Sequence, residues 1–175
     1  MKSNNKRLLL IFFVLLYFQF NAVSQEIANT DTVLLSAARE IISSATTCAL
    51  ITLDEEGRPS VRAMETLPLD DDFIVWFGTN PKSRKVIEIK NNSRVTLYYL
   101  DNDASGYVTI HGTAKIIADK KAKEAHWKKE WTAFYPNKND GYVLIKITPI
   151  SMEVISNSRG ISGDTITWKV PKVIF

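Results

Sequence analysis

The sequence predicts a mainly β protein, an antiparallel barrel of about six strands, closed or nearly closed, with short helices beside it. Two observations carry this. From Cys48 onward apolar residues recur with a period of two, most clearly where Val108, Ile110, Gly112, Ala114 and Ile116 alternate with Thr109, His111, Thr113 and Lys115. The segments with that period follow one another through turns or short helices, an order that suits antiparallel neighbours and not a doubly wound parallel sheet.

The elements follow in chain order. Thr30 or Asp31 caps a first helix running to about Ser44, because Val33, Leu34, Ala37, Ala38, Ile41 and Ile42 recur at helical spacing. Strands are expected at about 48–53, 60–67 and 73–79. The turn Asp54 to Pro59 joins the first two, and Asp70, Asp71 and Asp72 mark a solvated loop before the third. Pro81 suits the first turn of a short helix ending near Asn91 and Asn92, with Val86 and Ile89 on one face. A fourth strand spans Arg94 to Leu100, and in the fifth the small Gly112 and Ala114 permit tight curvature. Asp119 then begins a helix through about Trp131. A sixth strand runs from Tyr142 to about Ile147 and resumes over Met152 to Ile155 past Pro149. Gly160 to Asp164 makes a tight turn into a last short strand at 165–169.

The N-terminus has a different composition. Lys2, Lys6 and Arg7 precede an apolar run of about 13 residues to Phe20, followed by Ala22, Val23 and Ser24, the order of a secretory signal peptide. The run is short of the roughly 20 residues that span a bilayer as a helix, so cleavage after Ser24 and export to the periplasm or exterior are expected. Residues 25–175 then form a single domain with no lasting membrane span. The segment 1–24 holds three of the 22 Lys and Arg and none of the 19 Asp and Glu, so the remaining chain is formally neutral. That balance argues against a broad nucleic-acid footprint. Cys48 is the one cysteine, expected as a small buried hydrophobe, and with His111 and His126 far apart no metal site is predicted.

The stretch FGTNPKSRK, 77–85, carries the chemistry. Thr79 and Ser83 offer hydroxyls, Lys82, Arg84 and Lys85 offer charge, and the N–H groups at a helix N-terminus point the same way. Together they suit a phosphate. Trp76, Trp127, Trp131, Phe134 and Tyr135 either line a ligand pocket or pack a helix on the barrel, and the i, i+4 spacing of Trp127 and Trp131 favours packing for Trp127. No side chain stands out as a proton donor, and no catalytic residue is assigned.

The order and spacing of VRAME (61–65), WFGTNPKSRK (76–85), NNSRVTLYYLD (91–101), YVTIHGTAKI (107–116) and HWKKEWTAFYP (126–136) resemble the pyridoxamine-phosphate-oxidase-like flavin-binding split barrels, and within them the general-stress-protein branch. The resemblance covers about residues 31–156. It implies a six-stranded antiparallel split β-barrel with short flanking helices, a homodimer, and FMN in a groove between subunits. Carried over residue by residue, it implies cofactor contacts from Arg62 with Ala63 and Met64 beside it, Gly78 and Thr79 at a strand end, Ser83, Arg84 and Lys85 in the phosphate-binding turn, and Tyr107 in place of a flavin-contacting glutamine. Leu67 stands where the vitamin-forming oxidases carry a lysine, and SNSRGISGD at 156–164 lacks their arginine and histidine substrate clamp. The implied function is a flavin-dependent oxidoreductase of an unidentified small molecule. The alternatives are a non-catalytic flavin-binding or stress-protective protein, and a split barrel holding another ligand such as haem or a deazaflavin.

Overall fold

A period-two sequence with short connections folds here into one twisted antiparallel sheet that curls on itself. The computed structural model describes residues 30–137 and 141–175, so the expected signal segment lies outside the described residues. The strands are β1 (Thr47–Leu53), β2 (Pro59–Glu65), β3 (Val75–Thr79), β4 (Arg94–Leu100), β5 (Gly106–Ile117), β6 (Val143–Ser156) and β7 (Lys172–Ile174). They pair in the order β2-β1-β4-β5-β6-β3, with the short β7 also on β6. The strands β2 and β3 are the two ends of that path and do not pair with each other, which leaves the barrel split along one seam.

The helices are α1 (30–44), α2 (Arg84–Asn91) and α3 (Lys120–Ala125). The α1 stripe buries Leu34, Ala37, Ala38, Ile41 and Ile42, while Val33 faces solvent. It covers a core that also holds Leu50, Phe77, Leu97, Tyr99, Val108, Ile110, Ile145, Ile147, Met152 and Val154. Each large side chain so buried contributes roughly 1.5–3 kcal/mol. Cys48 belongs to this core, where burial pushes its thiol up to about 11 against a weaker opposing hydrogen bond with Tyr99. A second cluster, Trp131, Tyr142 and Leu144, packs with Trp76, Trp127 and Tyr135 on the outside of β3 and β6.

Four expectations change in detail. Strand β6 is continuous through Pro149, because a bulge shifts its register against β5 between His111 and Gly112 and releases Ile150 from pairing. Gly112 permits this crossing: a Cβ there would lie 2.5 Å from the Thr148 carbonyl oxygen. The helix expected from Asp119 to Trp131 ends at Ala125. His126 closes it, its ring stacked 4.0 Å from Trp76, and a separate 3-10 turn, Lys129–Ala133, carries Trp131.

The helix expected to include Pro81 starts later, at Arg84. The Asn80 carboxamide accepts from the Lys82 N–H and its carbonyl accepts from the Ser83 N–H, holding 80–83 in a turn. Finally, residues 165–169 are not a strand. Asp164 Oδ1 accepts hydrogen bonds from the Ile166 and Thr167 N–H groups and the Thr167 hydroxyl, and Trp168 has φ +58°, so the chain coils before β7 begins at Lys172.

Candidate functional site

Strand alternation decides which predicted residues meet. In β2, Arg62 and Met64 point inward and Ala63 outward. In β3, Thr79 is buried, whereas Gly78 faces the other way, against the Trp131 ring, which a Cβ at Gly78 would approach to 2.5 Å. The chain then turns through 80–83 into α2. Ser83 is the N-cap residue, but its hydroxyl makes no cap bond. It lies 3.4 Å from Thr79 Oγ1, which also accepts a 3.0 Å hydrogen bond from Lys85 Nζ.

Helix α2 bridges the split seam. At its first turn Lys85 reaches β3 through Thr79, and one turn on Glu88 reaches β1 and β2. Glu88 Oε2 accepts from Thr52 Oγ1 at 2.5 Å and from Arg62 Nη2 at 2.7 Å, while Arg62 Nη1 donates to the Thr52 hydroxyl. The Glu88 side chain is 5% exposed and that of Arg62 16%. Arg84, at 74%, is solvated, with Nε 3.1 Å from Glu88 Oε1. That contact lacks the alignment of a hydrogen bond, and Oε1 is buried without one.

The charges shape one another. Burial pushes the Glu88 carboxyl up, but hydrogen bonds from Thr52, Arg62 and Ser60 and the Arg62 charge outweigh it, and the group stays below its ordinary value of 4.5. Lys85 is held below the ordinary lysine value of 10.5, first by burial and then by repulsion from Arg62, with Glu88 pulling the other way. Two cations are thus close enough at the seam to repel, with the one carboxylate, Glu88, paired to Arg62. Such a place favours an incoming anion, and a phosphate is the group whose oxygens suit a hydroxyl pair, an ammonium and a guanidinium together.

The structure therefore brings together Arg62, Thr79, Ser83 and Lys85, with Arg84 at the rim. It places Ala63 and Tyr107 on the outward face of the sheet, where the Tyr107 ring stacks on Tyr98 at 5.5 Å. Met64 is core. Trp127 and Trp131 pack edge to face beside Tyr142, and Phe134 is exposed. His111 lies on the outward face, with Nδ1 3.1 Å from Thr96 Oγ1. Sequence reasoning missed Thr52 and Glu88, and also Lys128, which donates to Glu65 and to the Thr66 carbonyl. Lys128, Glu65 and Thr66 line a concavity of about 580 Å³ with Leu67, Ile42 and Thr46. Among the described residues no cluster of His, Cys, Asp and Glu suits a metal, and no helix is long and apolar enough to cross a membrane.

The class that the fold and the site define is a split antiparallel barrel whose open seam is bridged by a short helix, with the hydroxyls of Thr79 and Ser83 and the cations of Arg84 and Lys85 gathered at the start of that helix. Residues 35–170 match the family model described as pyridoxamine 5'-phosphate oxidase like, and the chain belongs to that family. It is 30% identical over 95 residues to the pyridoxine/pyridoxamine 5'-phosphate oxidase of Pseudoalteromonas translucida, 54% of this chain and 44% of that protein. It is 33% identical over 105 residues to the dihydrophenazinedicarboxylate synthase of Pseudomonas chlororaphis, 58% of this chain and 46% of that one. The chain spans about half the length of the curated relatives it matches. Among solved structures, general stress protein 26 of Bacillus anthracis superimposes with TM-score 0.60 at 26% identity, covering 69% of this chain and 92% of that one. A general stress protein 26-related protein of Clostridium acetobutylicum shares the fold with TM-score 0.67 at 24% identity, covering 81% and 94%.

Proposed function

We propose that this chain is an exported homodimer that binds FMN at the barrel seam and works as a flavin-dependent oxidoreductase of a small molecule. One observation carries the reading: Arg62 on β2 and the stretch holding Thr79, Ser83 and Lys85, well apart in the sequence, converge where β2 and β3 fail to pair, with Lys85 held by a hydroxyl and not by a carboxylate. A phosphate monoester there takes charge-assisted hydrogen bonds, each worth about 1.5–3 kcal/mol. The oxidase name of most of the matched curated relatives supports a redox role.

A bound flavin supplies the hydride chemistry. The chain's part is to fix the phosphate, orient the molecule and exclude water. The dimer is supported by the outward face of β1, β2, β4 and β5. There Val61 and Leu100 are exposed, with Ile51, Tyr98 and Tyr107 beside them, more apolar surface than a solvated sheet face usually shows. The substrate differs from pyridoxamine phosphate, because Leu67 replaces the lysine of the vitamin-forming oxidases and 156–164 carries no arginine–histidine clamp.

The test is an absorption spectrum of the purified protein, followed by titration with FMN and then NAD(P)H. Flavin bands that stay with the protein and bleach on reduction sustain the reading. Bands that stay but never bleach with any donor leave a flavin-binding protein without turnover. No FMN binding, with haem or deazaflavin bound instead, overturns it. Light scattering that finds only monomer removes the subunit groove.

A further inference from the structure

A buried carboxylate on an otherwise amphipathic helix needs a reason. In α2 the inward positions are Val86, Glu88 and Ile89, so Glu88 sits where an apolar residue would pack. A buried ion pair is often no more stabilising than apolar residues of the same volume, so stability alone does not account for it. The geometry points to a different role: Glu88 is a positioning residue that locks the Arg62 guanidinium beside Lys85 and so completes the phosphate site. This rests on the reading of the seam as a phosphate site.

Three features support it. Arg62, Thr52 and Glu88 form a closed ring in which each group bonds to the other two, which removes most of the freedom of a long arginine side chain. The partner of Lys85 is a neutral hydroxyl, so its charge stays available to a ligand. One carboxylate among Arg62, Arg84 and Lys85 leaves two positive charges in excess, the complement of a phosphate monoester near −2.

The experiment compares the affinities of riboflavin and FMN in the native protein and in Glu88→Ala, Glu88→Gln and Thr52→Val. The ratio of the two dissociation constants isolates the phosphate, which a general loss of structure would not do. We expect that ratio to fall roughly tenfold to a hundredfold in Glu88→Ala, the size seen when a group supporting a ligating residue is removed. A smaller fall is expected in Thr52→Val and partial recovery in Glu88→Gln, with riboflavin affinity constant throughout. An unchanged ratio in folded Glu88→Ala, or equal losses for both flavins, overturns the inference. If Glu88→Ala does not fold, Thr52→Val decides in the same way. If the native protein binds neither flavin, the FMN reading fails separately, and the same variants are titrated with inorganic phosphate by phosphorus NMR. Weaker phosphate binding in the variants then sustains the positioning role; equal binding, or none in the native protein, overturns it.

Discussion

Glu88 and Asp164 are both carboxylates held below the ordinary range, yet they are held there by opposite means. Asp164 is in solvent, and the hydrogen bonds that lower it come from Thr167 and Ile166, its neighbours in sequence. It makes a turn. Glu88 is buried, so desolvation works against its charge, and the bonds that overcome this come from Thr52 and Arg62, 36 and 26 residues away. It joins strands to a helix across the seam. Similar shifts therefore mean different things: one reports local chain geometry, the other a charge kept at a cost in a place where a ligand can use it.

The largest test of that contrast is stability. Truncating Glu88 to Ala leaves Arg62 half-buried and unpaired, and should cost about 3–5 kcal/mol in urea denaturation. Replacing both partners, Arg62→Met with Glu88→Leu, should restore most of the stability while FMN binding stays weak. Asp164→Ala should lower the melting temperature only slightly and leave FMN binding untouched. A double variant as unstable as Glu88→Ala alone would show that the pair serves the fold and not the site.

The second test concerns the cations. Arg84→Ala with Lys85→Ala should weaken FMN about a hundredfold, roughly 3 kcal/mol, with most of the effect from the less exposed Lys85. Isothermal titration measures it, and circular dichroism should show an unchanged fold. Unaltered affinity would move the phosphate away from the seam.

How much of this was legible in the sequence follows from the range of the interactions. Strand β4 and the alternation of β5 could be read because they depend on neighbours in the chain, and Thr79, Ser83 and Lys85 because they fall within seven residues. Glu88 reads as one more charge on a helix. Its role depends on the β1–β2 register, which sets Arg62 opposite Leu50 and Ser60 opposite Thr52, and on α2 folding back over that pair. The alternation Thr165, Ile166, Thr167, Trp168 looked like a strand because the pull of Asp164 on the following N–H groups does not show in a period-two count. The helix expected to reach Trp131 stopped early because His126 found Trp76, a partner from a distant strand.

Acid denaturation separates the two carboxylates by a smaller effect. The folded pKa of Glu88 lies below its ordinary 4.5, so its contribution is fully present above about 4.5 and is lost as pH falls through the folded value. Glu88→Gln should flatten the acid limb of the stability curve from that point down. Asp164→Asn should act only below about 3.8, and weakly, because solvent screens it. Equal flattening by both would remove the distinction between buried and exposed.

The smallest effect lies at the alkaline end, and it ties the contrast to ligand binding. Lys85 has a folded pKa below its ordinary 10.5, so between those two values this group holds more protons in the unfolded chain than in the folded one, and its own contribution to stability rises with pH. That is opposite in sign to the contribution of the raised Cys48 thiol and the raised Tyr99, Tyr135 and Tyr142 phenols. Below that window the ammonium is charged in both states and the cost of burying it is present in full. A phosphate at the seam gives Lys85 the partner it lacks, raises its folded pKa and shrinks the rise. Because the titration of Cys48 and the buried tyrosines is common to both proteins, the difference in denaturation midpoint between the native protein and Lys85→Met isolates the lysine. From about pH 8 to 10.5 that difference should climb in the free protein, climb less with FMN present and remain unaffected by riboflavin. A climb of equal size with and without FMN would mean that the phosphate does not sit beside Lys85.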